Sequence, residues 1–302
     1  MSKRRFGRYT VETSNEEKLF FPDEKISKGD LIDYYQKIAE KLVPCVKERP
    51  LVMKRYPDGI KGESFFQKEI GDYFPDWIER VKVKKKGGTV THVQCDNAAT
   101  LVYLANQACI ELHPWLSRSD KLHYPDQLII DLDPSGDDFS QAVFGARVLK
   151  ELFDELDLKA FLKTTGSRGL HVLVPLDRRA NFDKVREFAQ DTAKLLAQRH
   201  SDKLTIEARK AKRRGRLLID TARNAYAQTA VAPYAVRAKP GAPVATPLDW
   251  DELGNKKLNS QSYNVRNIFR RLGRKTDPWK DLPRLGRSLK EARRRLDAIL
   301  EK

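Results

Sequence analysis

The sequence predicts a mixed α/β fold, α+β in layout, and three observations carry it. Short apolar runs at Leu128–Ile130 and Leu217–Ile219 each end in aspartate, the pattern of a buried strand whose end reaches the surface. Between them lie stretches of helical period, with Ala142, Ala146, Leu149, Leu152 and Phe153 on one face of residues 139–156. A strand–loop–strand pattern, Lys159–Lys163 and Leu170–Leu176 around Thr164–Gly169, separates that helix from another at Val185–His200.

The remaining elements follow in order. Residues 1–18 are polar and basic and read as an arm or an opening strand. Ser27 or Asp30 caps a helix whose apolar face is Leu31, Tyr34, Tyr35, Ile38 and Leu42, and Pro44 is expected to end it. Pro50–Tyr56 reads as a strand closed by the turn Pro57-Asp58-Gly59. Val81–Val90 reads as a hairpin with Gly87-Gly88 at its tip, where positive φ is needed. Its lysines, Lys82, Lys84, Lys85 and Lys86, make either a basic finger for phosphates or a solvated loop. Asn97–Leu112 is read as one helix with Leu101, Leu104, Ala105, Ala108 and Leu112 inward. Leu204–Lys212 reads as a basic connection, Arg213–Arg216 as a turn, and Pro240, Pro243 and Pro247 as loop. A basic helix is expected over Asp281–Lys302. No linker, repeat or low-complexity tract interrupts the chain, so one domain is expected over 1–302, with an N-terminal module near 1–115 and a core over 116–302.

Charge narrows the function. The 302 residues carry 58 Lys and Arg against 42 Asp and Glu, a formal net charge of +16. That excess bears on partners, not on fold, and a polyanion is the natural partner. No apolar run approaches the roughly 20 residues of a membrane-spanning helix. No apolar stretch follows the basic N-terminus, so no signal peptide is expected. Nucleic acid is therefore favoured over membrane. Cys45, Cys95 and Cys109 are scattered, with no Cys-x-x-Cys pair. A disulfide framework or structural zinc is not expected, and a reducing cytoplasm fits.

The chemistry concentrates at Asp131-Leu132-Asp133-Pro134. Two carboxylates at i and i+2 on a strand share a face. Like charges so close call for a cation between them, and oxygen ligands suit Mg²⁺ or Mn²⁺. The same residues, with Ser135-Gly136, also suit a plain turn. Asp220 ends the other apolar run; three such carboxylates can hold two cations for in-line phosphoryl transfer. Thr165-Gly166-Ser167-Arg168-Gly169-Leu170-His171 combines glycines, hydroxyls and an arginine, the equipment of a phosphate loop. His171 and His113 suit either a ligand contact or a core position. No Walker A, Gly-x-Gly-x-x-Gly or His-Glu-x-x-His occurs.

These motifs, with Leu218-Ile219-Asp220-Thr221-Ala222-Arg223-Asn224, resemble the polymerase domain of bacterial ligase D, of the archaeo-eukaryotic primase superfamily. Arg55–Ile60, Glu63–Lys68 and Ala232–Arg237 extend the resemblance over nearly the whole chain. It implies a primase-polymerase fold with an RRM-like catalytic sheet and an N-terminal module. Asp131, Asp133 and Asp220 match the family's metal-binding catalytic carboxylates, for two Mn²⁺ or Mg²⁺ ions. Thr165, Ser167, Arg168, His171 and Arg237 match contacts to the incoming nucleoside triphosphate, and His113 a histidine beside its ribose. Asn15, Lys18 and Lys28 match the pocket for a downstream 5′-phosphate, and Phe65 and Phe66 aromatics that stack on the template. Lys84, Lys85 and Lys86 match a loop that helps DNA ends meet, and Arg213 an arginine on a second mobile loop that steers the nucleotide. Thr165 stands where serine is expected, keeping the hydroxyl on a stiffer side chain.

The resemblance further implies template-directed nucleotide addition to 3′-hydroxyls at gaps and double-strand breaks. It implies a preference for ribonucleotides and for Mn²⁺, a role in non-homologous end joining, and Ku and a DNA ligase as partners. A cytoplasmic, nucleoid-associated protein is expected, either a free-standing version of the domain or a piece of a longer one. A de novo primase and a non-catalytic DNA-end bridge are the rival readings.

Overall fold

The computed structural model describes residues 2–301 and shows the expected mixed α/β architecture. Contacts gather the chain into two units. The first comprises residues 1–115, 229–245 and 263–269; the second comprises 116–228, 246–262 and 270–302. The first division falls after Trp115, but the first unit also takes in two later segments, so it is not a continuous N-terminal module. The two later returns to the first unit are marked by no linker.

The first unit opens with the antiparallel pair β1 (Ser2–Phe6) and β2 (Tyr9–Thr13), then β3 (Leu19–Phe21) and β4 (Ile26–Ser27). Helix α1 (Lys28–Val46) uses both expected caps at once. Ser27 accepts from the Asp30 backbone, and Asp30 accepts from that of Ser27. Pro44 does not end α1; it lies in the last turn, where only one helical bond is lost.

A five-stranded sheet follows, with β5 (Leu51–Arg55), β6 (Phe65–Gln67), β7 (Arg80–Lys85) and β8 (Gly88–Val93) in the order β6-β5-β8-β7. The β7–β8 turn pairs Lys85 with Gly88, so Lys86-Gly87 is the tip, one residue before the expected Gly87-Gly88. The helix read over 97–112 is two elements. α2 (Ala98–Asn106) stops, Ala108 takes a positive φ of 60°, and Cys109–Pro114 becomes β9. Strand β9 pairs with β5, so sheet hydrogen bonds override a helical pattern that Leu112 continues only by coincidence.

The second unit is built on β10 (Gln127–Asp133), α3 (Phe139–Glu155), β11 (Phe161–Thr164), β12 (Leu170–Pro175), α4 (Phe182–Arg199), β13 (Leu204–Thr205), β14 (Leu217–Asp220) and β15 (Pro247–Leu248). The sheet order is β13-β14-β10-β12-β11-β15. Its middle four strands with α3 and α4 form the β-α-β-β-α-β arrangement of the RRM-like sheet. Residues 204–212, expected as a basic connection, open with β13, which runs parallel to β14. Beyond lie α5 (Ile268–Leu272) and α6 (Leu289–Leu300). The terminal helix starts at Leu289, capped by Ser288, rather than near 281, because Pro283 and Gly286 break the pattern before it.

Alternation decides what each face of β10 carries. Leu128, Ile130 and Leu132 are fully buried. Helix α3 approaches so closely that a Cβ on Gly145 would lie 2.3 Å from a Leu217 methyl and 3.3 Å from one of Leu132. Asp131 and Asp133 must therefore point to the opposite face. Among the described residues no helix is long and apolar enough to cross a membrane.

Candidate active site

Strand register builds the site. Asp131 is the direct cross-strand partner of Asp220 on β14 and of His171 on β12, and His171 is that of Lys163 on β11. One rung thus runs Asp220–Asp131–His171–Lys163, with Asp133 two residues on from Asp131. Directly opposed side chains have Cβ atoms about 4.5–5.5 Å apart. The three aspartates therefore share one face, as the resemblance implies. Opposed like charges destabilise a sheet, so this rung is a cost borne for something other than folding.

Cations offset that cost. Arg168 and Arg213 each donate to Asp133, at 3.1 Å on separate oxygens. Arg223 reaches Asp131 at 3.5 Å, and Nε2 of His171 lies 3.5 Å from its other oxygen. Burial works against the Asp131 charge, but the His171 ring, Arg223 and Lys163 outweigh it and hold the carboxyl below the usual range. Burial and the Lys163 charge push the His171 imidazole down, against the pull of Asp131. His171 is therefore neutral at pH 7 and offers Asp131 a polar neighbour rather than a full charge. Lys163 and Arg223 were not among the expected site residues. A buried lysine inside an apolar strand was the signal for the first; its place in the Asp220 motif was the signal for the second.

That motif is also structural. Asp220 accepts from the Ala222 backbone at 2.7 Å, the local bond of a turn that ends the strand. β14 leaves β10 unpaired beyond Asp131. There the Asn224 side chain accepts from Ile129 N at 2.9 Å and donates to Ile129 O at 2.7 Å, continuing the ladder.

The Thr165–His171 loop is tied down from within. Thr165 Oγ1 lies 3.1 Å from the Gly169 carbonyl and accepts from the Ser167 and Gly169 backbones at 3.2 and 3.3 Å. The threonine hydroxyl is thus an organiser of the loop. Gly169 has no room for a side chain: a Cβ would sit 1.8 Å from the Leu132 carbonyl oxygen. Arg168 projects from this loop half-exposed. Arg213 is pinned, its guanidinium also donating to the carbonyls of Glu207 and Ala208.

The donor chemistry suits a hard divalent cation, with three carboxylates on one face and Asp131 ionised. As the side chains stand, arginines take both oxygens of Asp133. Among the described residues no group of three or more His, Cys, Asp or Glu closes into a metal cage. Metal binding there requires Asp133 to exchange arginine for cation.

The first unit holds the other expected residues. Lys28 is buried and donates to the Ser14 carbonyl at 2.6 Å, beside the turn in which Lys18 N bonds Asn15 O at 3.1 Å. Lys18 itself pairs with Asp58 at 2.6 Å. The three residues of the expected phosphate pocket are brought together. Phe65 and Phe66 are 46% and 58% exposed, large for aromatics. Arg55 lies 5.5 Å from the Phe65 ring and Lys54 5.3 Å from that of Phe66. Lys82, Lys84, Lys85 and Lys86 are exposed on the β7–β8 hairpin. His113 and Arg237 both contact Glu111, a residue the sequence did not single out.

The family model for the LigD primase-polymerase domain matches residues 27–279. The chain belongs to that family. It is 33% identical over 288 residues to the multifunctional non-homologous end joining protein LigD of Pseudomonas aeruginosa, covering 94% of this chain and 34% of that protein. It is 31% identical over 271 residues to the bifunctional LigD of Bacillus subtilis, covering 89% of this chain and 43% of that one. The chain thus spans about a third to two-fifths of these relatives. Among solved structures it is similar to the polymerase domain of Mycobacterium tuberculosis ligase D in complex with DNA. That TM-score is 0.84 at 29% identity, covering 90% of this chain and 97% of the other. The LigD family and its fold are those the motifs led one to expect.

Proposed function

We propose that the chain is a nucleotidyltransferase that adds nucleotides, ribonucleotides by preference, to 3′-hydroxyls at gaps and broken DNA ends in non-homologous end joining. The Asp220–Asp131–His171 rung, with Asp133 beside it, is the observation that carries this reading. A like-charged cluster set into a sheet centre has no use in stability and an evident one in phosphoryl transfer. Further support comes from a relative named for end joining and a neighbour solved with DNA.

Asp131, Asp133 and Asp220 would hold divalent cations, Mn²⁺ or Mg²⁺, which when bound neutralise phosphate charge and activate the attacking hydroxyl. The chain's own residues supply the rest. Asp131 is already ionised at neutral pH and needs no proton removed. Arg168 and Arg213, now on Asp133, are released to anionic phosphate oxygens as Asp133 turns away. The Thr165–Gly169 bonds hold Arg168 in place while it does so. In the first unit, Lys28 with Lys18 and Asn15 grips a 5′-phosphate, and Phe65 and Phe66 stack on bases, at about 1–3 kcal/mol per base. Ku and a DNA ligase are the expected partners.

Primer extension on gapped, 5′-phosphorylated DNA with Mn²⁺ tests the reading. Asp131→Ala/Asp133→Ala is expected to abolish extension while leaving DNA binding intact. Equal extension by the double variant and the wild type would sink the enzymatic reading, and binding without extension in both would favour an end bridge.

A further inference from the structure

We infer that Glu111 is a positioning residue that sets His113 and Arg237 as one unit toward the nucleotide. This rests on the reading, under Proposed function, that the chain binds a nucleoside triphosphate, and on the family match of His113 and Arg237 to its contacts. Glu111 lies on β9 with its side chain 3% exposed. Its Oε2 is 3.0 Å from Nε2 of His113 and 3.3 Å from Nε of Arg237. Its Oε1 accepts from the Ala238 backbone at 3.0 Å. One carboxylate thus ties a strand residue two positions on to a segment 126 residues away in sequence, through both a side chain and the backbone.

A second buried clamp ties the same two segments. Tyr35 donates to the Ile110 carbonyl at 2.6 Å and accepts from the Val236 backbone at 3.1 Å. Tyr35 fixes the backbones; Glu111 reaches both functional side chains. Burial alone would raise the Glu111 carboxyl, but the His113 hydrogen bond and the Arg237 charge outweigh it and hold it at about 2. The clamp therefore stays charged throughout the neutral range. On its far side His113 meets the Phe66 ring edge-on, centroids 5.7 Å apart, so the aim of His113 is set between carboxylate and aromatic.

A charge-removing change of nearly the same size isolates the role. With the full chain, Glu111→Gln is expected to raise the nucleotide KM on the order of tenfold or more, the scale of a small misplacement. Affinity for 5′-phosphorylated gapped DNA, read by anisotropy, is expected to stay at the wild-type value. A merely structural Glu111 would lower kcat and DNA affinity together, with the folded fraction, and leave KM unmoved; that result overturns the inference. His113→Ala and Arg237→Ala run beside it. If they raise KM and Glu111→Gln does not, the inference falls and the nucleotide reading stands. If none of the three moves KM, the assignment of His113 and Arg237 falls, and the inference with it. Should Glu111→Gln fail to fold, Glu111→Asp keeps the charge one methylene shorter. A raised KM at unchanged Tm supports the clamp, and an unchanged KM overturns it.

Discussion

His171 has no solvent, a lysine on one side and an aspartate on the other. Its folded value lies near 4 against an ordinary 6.5, so the unfolded chain binds more protons between those limits. Stability is then full above pH 6.5 and lost as pH falls toward 4. Denaturant melts at pH 7, 5.5 and 4.5 are expected to show that decline, and His171→Gln to flatten it. Some slope should remain from His92, which burial also lowers. Gly169 is tighter still. Gly169→Ala forces a methyl against the Leu132 carbonyl, an overpacking expected to cost about 1–3 kcal/mol. Urea denaturation measures it, and no loss would mean the loop shifts freely. The aspartates were legible residue by residue, because a charge ending an apolar run is conspicuous. Glu111 was not: it acts through Arg237, 126 residues away, and one-dimensional spacing carries no such pairing.

Elements with strong local signals were equally legible. α1, α3, β12 and β14 lie within a few residues of expectation because caps, apolar stripes and breakers agree. Ser27 alone closes half of the α1 capping box. Ser27→Ala is expected to cost about 1 kcal/mol, read by thermal or chemical melts, and no change would mean Asp30 suffices. β9 failed for the opposite reason. Leu101, Leu104, Ala105, Ala108 and Leu112 keep a helical period, but the chain turns at Ala108 and the tertiary ladder to β5 decides the rest. The short β13 and β15 gave no signal, since two residues have no period.

The net charge of +16 belongs to the molecule rather than to any element. Binding to DNA is expected to weaken steeply with salt, log K falling with log salt by about 0.9 per phosphate contacted. Lys84→Ala/Lys85→Ala/Lys86→Ala should lower that slope by about 2–3 if the hairpin touches phosphates. An unchanged slope would return the hairpin to the solvated-loop reading. For the 5′-phosphate pocket, Lys18→Ala/Lys28→Ala is expected to erase the preference for phosphorylated over unphosphorylated gaps. Retention of that preference would displace the assignment.

The first unit is not finished when Trp115 has been synthesised. Thr229 bridges to Trp115, and Ala232 and Ala230 donate to the Leu112 and Pro114 carbonyls, so β9 receives its outer neighbours from more than a hundred residues downstream. A nascent chain leaving the ribosome must hold that edge open until the later segments emerge. Although it starts first, the amino-terminal sheet therefore closes only after more than a hundred further residues have been made, and a fragment cut after 115 would carry a sticky, incomplete sheet.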